Sequence, residues 1–191
     1  MNTLTLEPFS PQNTDMVLSW RNSARVRCNS IDDSIITKES HNLFLNTLSQ
    51  HTSKRYFVMH MGTQPVGVLS FSGIGQDQVT WGCYIGSEKI SPGTFPLMVC
   101  IAIKFAFQFE STASLHSEVA AHNHAPLKLN QYLGVDSTGE ITKKTTSGKV
   151  VQFMQFCVSK DDVKKVLDKA EKILTSSLRT QLNSFKVLNE Q

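Results

Sequence analysis

The chain has 191 residues, of which 40% are hydrophobic and 18% are charged, and its formal net charge is +3 at pH 7. This length and apolar content suit one well-packed domain and exclude a disordered chain. Basic residues form no concentrated patch, which argues against a nucleic-acid partner, and no apolar run reaches the ~18–20 residues of a membrane span. The four cysteines, Cys28, Cys83, Cys100 and Cys157, form no CxxC pair and are predicted to be buried free thiols in a reducing cytoplasm.

The first half of the chain predicts a strand, two helices and an antiparallel meander. Residues 4–9, LTLEPF, predict the strand, and apolar residues at helical spacing predict a helix over about 14–22. A loop follows, and a second helix begins at Thr37 with Glu39 in its first turn. Three segments rich in β-branched and aromatic residues, joined by tight turns, predict the meander: 55–61, 64–74 and 78–86.

The second half alternates helices and strands. The apolar run that follows SPGTFP and extends to Phe109 predicts a helix, and residues 113–120 predict a strand. A helix over 123–133 is predicted to have Asn123 as its cap and to end at Gly134. Two final strands are predicted at 135–141 and 149–158. This order is typical of an α+β fold with a mixed central sheet flanked by helices.

The C-terminal tail predicts one amphipathic helix of ~25 residues, added to the domain. Its apolar positions recur at spacings of three and four: Val163, Val166, Leu167, Ala170, Ile173, Leu174, Leu178, Leu182 and Phe185. We therefore predict a domain over residues 1–160 and a helical tail over 161–191. The apolar stripe is interpreted as core or as a homo-oligomer contact. Its polar face carries both signs of charge, which argues against a membrane surface.

A block near the end of the domain resembles the GCN5-related N-acetyltransferase superfamily. Residues 115–135 read LHSEVAAHNHAPLKLNQYLGV, and they match in length that superfamily's signature of a strand, an asparagine, a helix and Leu-Gly-Phe. Glu118 lies near the strand end, Asn123 at the helix start, and Leu133-Gly134-Val135 at its close. The resemblance implies a fourth strand that diverges from the fifth, with acetyl-CoA in the gap between them.

Further blocks over residues 4–162 resemble the acetyltransferases of pseudaminic acid biosynthesis. These blocks are LSWRNSARVR, ITKESHNLFLNTL, RYFVMHMGTQPVGVLSF, TWGCYIG and SGKVVQFMQFCVSKDD. The resemblance implies transfer of an acetyl group from acetyl-CoA to the 4-amino group of a UDP-linked amino-deoxy sugar. It implies a cytoplasmic enzyme without a metal, whose product is used for flagellin glycosylation.

The same resemblance assigns residues to the acceptor. Arg21, His41 and Trp81 are predicted to bind the nucleotide sugar, where Arg21 can pair with phosphate and His41 can hydrogen-bond the sugar or accept a proton. Glu118 is predicted to take the amine proton through water. Trp81 and Tyr84 should face opposite sides of their strand, since side chains alternate. Structural roles also fit these residues: a surface arginine, a capping or solvated histidine, core aromatics and a strand-end carboxylate.

The resemblance also assigns the donor side. Gly93 and Thr94 match the start of a phosphate-binding turn, and the strand backbone at Tyr84 and Ile85 is predicted to polarise the thioester. Asn123 is predicted to orient the pantetheine arm or simply to cap its helix. Asn130 stands where the superfamily places a tyrosine acid.

Three positions on the donor side depart from that pattern. Phe95 replaces a second glycine, Pro96 has no N–H to donate, and Asn130 cannot act as an acid. Two alternative functions therefore stay open. Beside the amino-sugar acetyltransferase, the alternatives are a catalytically impaired binding or regulatory protein of this fold and an acetyltransferase of protein N-termini.

Overall fold

The computed structural model of the chain describes residues 3–188. In this part of the chain eight strands form one mixed sheet, in the order β6-β7-β5-β4-β3-β2-β1-β8. The strands are β1 (Leu4–Pro8), β2 (Lys54–Met61), β3 (Gln64–Ser72), β4 (Gln78–Ile85), β5 (Ser114–Ala120), β6 (Ser137–Lys144), β7 (Val150–Ser159) and β8 (Lys186–Val187). The helices are α1 (Thr14–Asn22), α2 (Ala24–Arg27), α3 (Lys38–Ser49), α4 (Thr94–Ala106), α5 (His124–Leu133), α6 (Val163–Lys172) and α7 (Ser176–Asn183), with a 3₁₀ turn at Lys160–Asp162.

Strand pairing confirms the predicted meander and mixed sheet. Strands β1 to β4 pair antiparallel in sequence order, as do β5 with β7 and β6 with β7. The two parallel contacts are β4 with β5 and β1 with β8. The α4 crossover makes the first of these contacts possible, because parallel neighbours need a long connection.

The two faces of the sheet carry different helices. Helices α4, α6 and α7 pack with one face into the main core, in which Leu97, Ile101 and Phe105 of α4 are at most 4% exposed. Helix α1 covers the other face, where Val17 packs on Val58 and Val68. Because α1 carries Arg21, which is predicted to bind the acceptor, we call this second face the acceptor face below.

Helix α2 was not predicted, and residues 23–36 were expected to form a loop. The Ser23 side chain accepts a hydrogen bond from the Val26 N–H, which stabilises this single turn. A one-turn helix is too short to show apolar periodicity, so its sequence gave no signal.

The prediction of one continuous tail helix was wrong. The chain breaks between α6 and α7, where the Thr175 hydroxyl accepts a hydrogen bond from the Leu178 N–H and begins a new helix. Leu174, Leu178 and Leu182 are at most 5% exposed and belong to the main core, so this part of the stripe is core rather than an oligomer contact. The division at residue 160 into two units stays a prediction, and its last three residues, 189–191, lie outside the described residues.

All four cysteines are free thiols, but only Cys100 is buried, whereas Cys83 and Cys157 are partly buried and Cys28 is exposed, against the prediction that all are buried. Cys28 follows directly on α2, whose short length leaves its end in solvent. Among the described residues, no helix is both long and apolar enough to cross a membrane.

Candidate active site

Strands β4 and β5 separate after a short paired stretch. Their register joins Gln78 to Ser114, Val79 to Leu115 and Thr80 to His116, and within the described chain it goes no further. Both strands continue, β4 through residues 81–85 and β5 through 117–120. The edge of β4 that faces β5 therefore has no strand partner, and a gap opens between the two strands.

The turn before α4 lies at the end of this gap. Gly93 has φ 90°, a left-handed conformation that suits glycine. The Thr94 N–H donates to the Ser91 carbonyl at 3.2 Å, and Pro96 has no N–H. In the first helical turn of the described structure, the Phe95 N–H is thus the one donor left for a phosphate.

Core packing explains two features of this turn. The Phe95 side chain packs against the main core, which gives this residue a structural role where a second glycine was expected. A Cβ atom at Gly93 would lie 2.9 Å from Leu178 Cδ1, so α7 packs directly against the turn. The turn has the position of a phosphate site but few of the donors that such a site needs.

Trp81 and Asn130 meet on the face opposite to the acceptor face. They line a cavity of about 10 Å³ beneath α4, α5 and α6, together with Ser117 and Val166. This space holds at most one water molecule, so it does not admit a pantetheine arm. Tyr132, the nearest tyrosine, is 47% exposed and does not line this cavity.

Tyr84 lies on the acceptor face, which confirms that it and Trp81 face opposite sides of β4. Burial raises the pKa of Tyr84 and that of Tyr56, while the charge of Arg21 opposes both shifts. Arg21 therefore lies close to both phenols. Both phenols stay protonated at neutral pH and can donate hydrogen bonds.

Arg21 is fixed by its position at the end of α1. A Cβ atom at Gly86 would lie 2.0 Å from the Trp20 ring, so only glycine lets α1 pack this closely against the end of β4. Arg21 Nη2 donates to the Asp32 carbonyl at 2.6 Å. Its Nη1 is buried and has no hydrogen-bond partner among the described residues.

Glu118 extends from β5 onto the acceptor face. Its carboxylate forms an ion pair with Lys143 and accepts a hydrogen bond from Gln155 Nε2 at 3.2 Å. The Lys143 ammonium also lies 5.8 Å from the centre of the Phe153 ring. These contacts hold the Glu118 carboxylate in a fixed orientation on this face.

His41 lies between α3 and α1 rather than beside Glu118. It is 5% exposed, its ring stacks on Phe44, and its Nε2 has no partner among the described residues. Burial lowers the pKa of His41, and the charge of Asp15 and the Thr14 backbone oppose this shift. His41 is therefore neutral at pH 7.

Asn123 precedes α5 but does not cap it. Its side chain forms no capping hydrogen bond, so the capping role that was its structural alternative is not observed. Sequence reasoning did not find Tyr56, Lys143 or Gln155. Their contacts with the predicted residues depend on strand register, which local sequence patterns do not reveal.

No protein-family model matches the chain. Among curated proteins, acetyltransferase PseH of Campylobacter jejuni strain 81-176 is 28% identical over 123 residues, which are 64% of this chain and 76% of that protein. The crystal structure of the N-acetyltransferase PseH of C. jejuni in complex with acetyl coenzyme A has a TM-score of 0.61 at 23% identity, and the match covers 82% of this chain and 99% of the other. Spermidine N-acetyltransferase from Vibrio cholerae in complex with CoA and spermine has a TM-score of 0.76 at 13% identity, covering 85% and 98%.

The mixed sheet and the diverging strands give the chain the fold of the GCN5-related N-acetyltransferases. Among proteins of this fold, it is similar in sequence and in structure to the PseH acetyltransferases. The gap between β4 and β5 lies where the resemblance implies acetyl-CoA, whereas the turn before α4 has a single free N–H in its first helical turn.

Proposed function

We propose that this protein transfers the acetyl group of acetyl-CoA to the amino group of a UDP-linked amino-deoxy sugar. One observation carries the proposal: Arg21, on the acceptor face beside the strand gap, holds a buried Nη1 without a partner. An unsatisfied buried donor destabilises a fold by about 1–3 kcal/mol. A phosphate or sugar oxygen of the acceptor would remove this penalty. The similarity to PseH supports an acetyltransferase of this kind.

The amine needs a group that removes its proton. Glu118 is proposed to receive this proton through a water molecule, while Lys143 and Gln155 hold its carboxylate in place. His41 stays a predicted contact and proton acceptor for the sugar. Its neutral ring and free Nε2 support a hydrogen bond with a polar group that reaches between α1 and α3.

The donor supplies an activated thioester, and the chain is proposed to orient it in the strand gap. The unpaired edge of β4 beside Tyr84 and Ile85 offers backbone groups to the thioester carbonyl. The Asn123 side chain forms no capping hydrogen bond and is therefore free to contact the pantetheine arm. Burial raises the pKa of Cys83 to about 12, so this thiol is a poor nucleophile. We therefore propose direct attack by the amine in a ternary complex, in which the new C–N bond forms as the thioester C–S bond breaks, and the CoA thiolate leaves and takes a proton from solvent.

Trp81 lies on the other face from Arg21, so a role in binding the sugar would need the acceptor to reach through the gap. We propose instead that Tyr84 and Tyr56 contact the acceptor beside Arg21.

The pathway proposed with this activity is pseudaminic acid biosynthesis for flagellin glycosylation, in the cytoplasm. No metal enters the proposed reaction.

A second candidate is a binding or regulatory protein that keeps the acceptor face and has lost catalysis. The observation that favours it is the donor turn, with its single free N–H and its contact with Leu178. In this case the acceptor would bind without being acetylated.

The test is an acetylation assay on the full chain with acetyl-CoA and a panel of amines. The panel contains a UDP-linked 4-amino sugar, spermidine and a peptide with a free N-terminus. Mass spectrometry should show one added acetyl group on the amino sugar alone. Binding of the amino sugar without product would favour the second candidate, and acetylation of the peptide alone would overturn both.

A further inference from the structure

A pocket of about 600 Å³ opens between α2 and the β6–β7 hairpin. His122, which follows closely on β5, forms part of its wall, so the pocket adjoins the end of the strand gap. Its volume lies within the range of small-molecule sites. No residue predicted to bind donor or acceptor lines it.

Arg27 presents a fixed and uncompensated positive charge to this pocket. Its Nε donates to the Asn22 carbonyl at 3.0 Å and its Nη1 to the Asp33 carbonyl at 2.9 Å. Neutral carbonyl groups thus hold the guanidinium in place, and no carboxylate pairs with it among the described residues. Its Nη2 remains free to donate. A guanidinium that is already held in position can donate to a phosphate oxygen with little further loss of side-chain entropy.

Lys149 adds a second positive charge to this surface. The Lys149 side chain is exposed and forms no hydrogen bond or ion pair among the described residues. The His122 Nε2 donates to the Cys28 carbonyl at 3.0 Å, which fixes this ring in the pocket wall.

The one carboxylate in the pocket wall, that of Asp33, is already satisfied by the hairpin. It accepts hydrogen bonds from Thr146 Oγ1 at 2.8 Å, from the Ser147 N–H at 2.8 Å and from Ser147 Oγ at 2.5 Å. These bonds hold the pKa of Asp33 well below its usual range. The carboxylate links the loop before α3 to the hairpin, so Arg27 and Lys149 remain free to attract an anion.

Two arginines donate hydrogen bonds to the loop before α3, which connects the pocket to the acceptor face. Arg21 bonds the Asp32 carbonyl and Arg27 bonds the next carbonyl, that of Asp33. The loop thereby holds the Arg21 guanidinium on the acceptor face and the Arg27 guanidinium at the pocket. A ligand whose sugar oxygens lie beside Arg21 can extend its phosphates toward Arg27.

We infer that this pocket binds the phosphate groups of the acceptor, through Arg27 and Lys149. The inference rests on the proposed function for the source of these phosphates. The pocket itself favours an anion, because its lining carries two permanent cations and one carboxylate, and that carboxylate is already hydrogen-bonded by the hairpin.

The experiment titrates inorganic pyrophosphate, UDP and acetyl-CoA separately into the full chain by calorimetry. The variant is Lys149→Glu, which reverses a charge on a side chain without contacts and should leave the fold intact. Lys128→Glu is the matched control, since Lys128 is exposed on α5 and does not line the pocket. Circular dichroism checks that both variants are folded.

We expect pyrophosphate and UDP to bind the native chain, and Lys149→Glu to weaken both by about tenfold or more. Lys128→Glu should change neither, and acetyl-CoA binding should be equal in all three proteins. Equal binding of UDP by native protein and Lys149→Glu would overturn the inference, as would no binding to the native chain. Loss of acetyl-CoA binding in Lys149→Glu would assign the phosphate site to the donor and also overturn it. Failure of acetylation with UDP binding intact would overturn only the proposed function.

Discussion

The two sides of the strand gap differ in how their polar groups are used. On the acceptor face, Glu118 has two side-chain partners and Arg21 keeps a buried donor without one. On the donor side, the turn before α4 keeps the left-handed Gly93 but has one free N–H in its first turn. Polar side chains are therefore arranged for a ligand on one side, whereas apolar packing dominates the other. Substrate recognition and donor affinity should respond to mutation in different ways.

The largest effect is expected at Glu118. Glu118→Gln keeps an amide oxygen that can accept the hydrogen bond from Gln155, but it removes the proton acceptor. The value of kcat should therefore fall about 100-fold with little change in KM. Steady-state kinetics with the amino sugar measure this. Glu140→Gln, an exposed change on β6, is the control and should retain full activity. An unchanged kcat in Glu118→Gln would mean that another group, or solvent, takes the proton.

The next effect is expected at Arg21. Arg21→Met removes a charge-assisted contact to the acceptor and should lower kcat/KM about 30-fold, mainly through KM. The KM for acetyl-CoA should stay the same, because Arg21 lies on the acceptor face. Arg179→Met changes an exposed arginine of α7 and serves as the control. A rise in the KM for acetyl-CoA alone would contradict the division between the two sides.

A gain is expected on the donor side from Pro96→Ala. This change adds an N–H to the first turn of α4, where one more hydrogen bond to a charged phosphate is worth about 1.5 kcal/mol. Acetyl-CoA should then bind up to ~10-fold more tightly, as calorimetry can show. Pro11→Ala makes the same change in an exposed loop and should have no effect. Weaker or equal binding in Pro96→Ala would show that the turn does not hold the phosphates.

Restoring a tyrosine at position 130 is expected to bring no such gain. Asn130 lines a cavity of about 10 Å³, which is far too small for a phenol ring. Asn130→Tyr should therefore lower the melting temperature rather than raise kcat. Higher activity with unchanged stability would contradict this.

The smallest effect concerns pH and His41. Burial lowers the pKa of His41 from 6.5 in the folded state. The unfolded chain therefore takes up a proton more readily below about pH 6.5, and the free energy of unfolding should fall as the pH drops. Thermal melts at about pH 7.5 and pH 5.5 should differ by a few degrees more in native protein than in His41→Asn. His51→Asn, an exposed histidine, should behave like the native chain. Equal pH dependence in His41→Asn would show that another group is responsible.

The sequence predicted most of the fold, because the signals that define these elements are local. Thr37 begins α3 with a side-chain bond to the Ser40 N–H, and Gly134 ends α5 with φ 73°. Helix α2 was missed because it has a single turn. The break at Thr175 was missed because apolar residues recur four apart from Leu174 through Leu182, as they would in one unbroken helix.

The candidate site was less accessible to sequence reasoning. Alternation along β4 correctly predicted that Trp81 and Tyr84 lie on opposite faces of the sheet. It did not predict which of the two shares a face with α1. The contacts of Glu118 depend on the register of β5 with β7, and those of Arg21 on the path of a loop. Such contacts join residues far apart in the chain, so local patterns do not predict them.

The most direct test of the account is a calorimetric titration of acetyl-CoA into the purified chain, followed by addition of the UDP-linked amino sugar. We predict that acetyl-CoA binds on its own, and that acetylated sugar and free CoA then form in equal amounts. No heat and no thermal shift at millimolar acetyl-CoA would contradict an acetyltransferase. The chain would then have the acceptor face of this fold without its reaction.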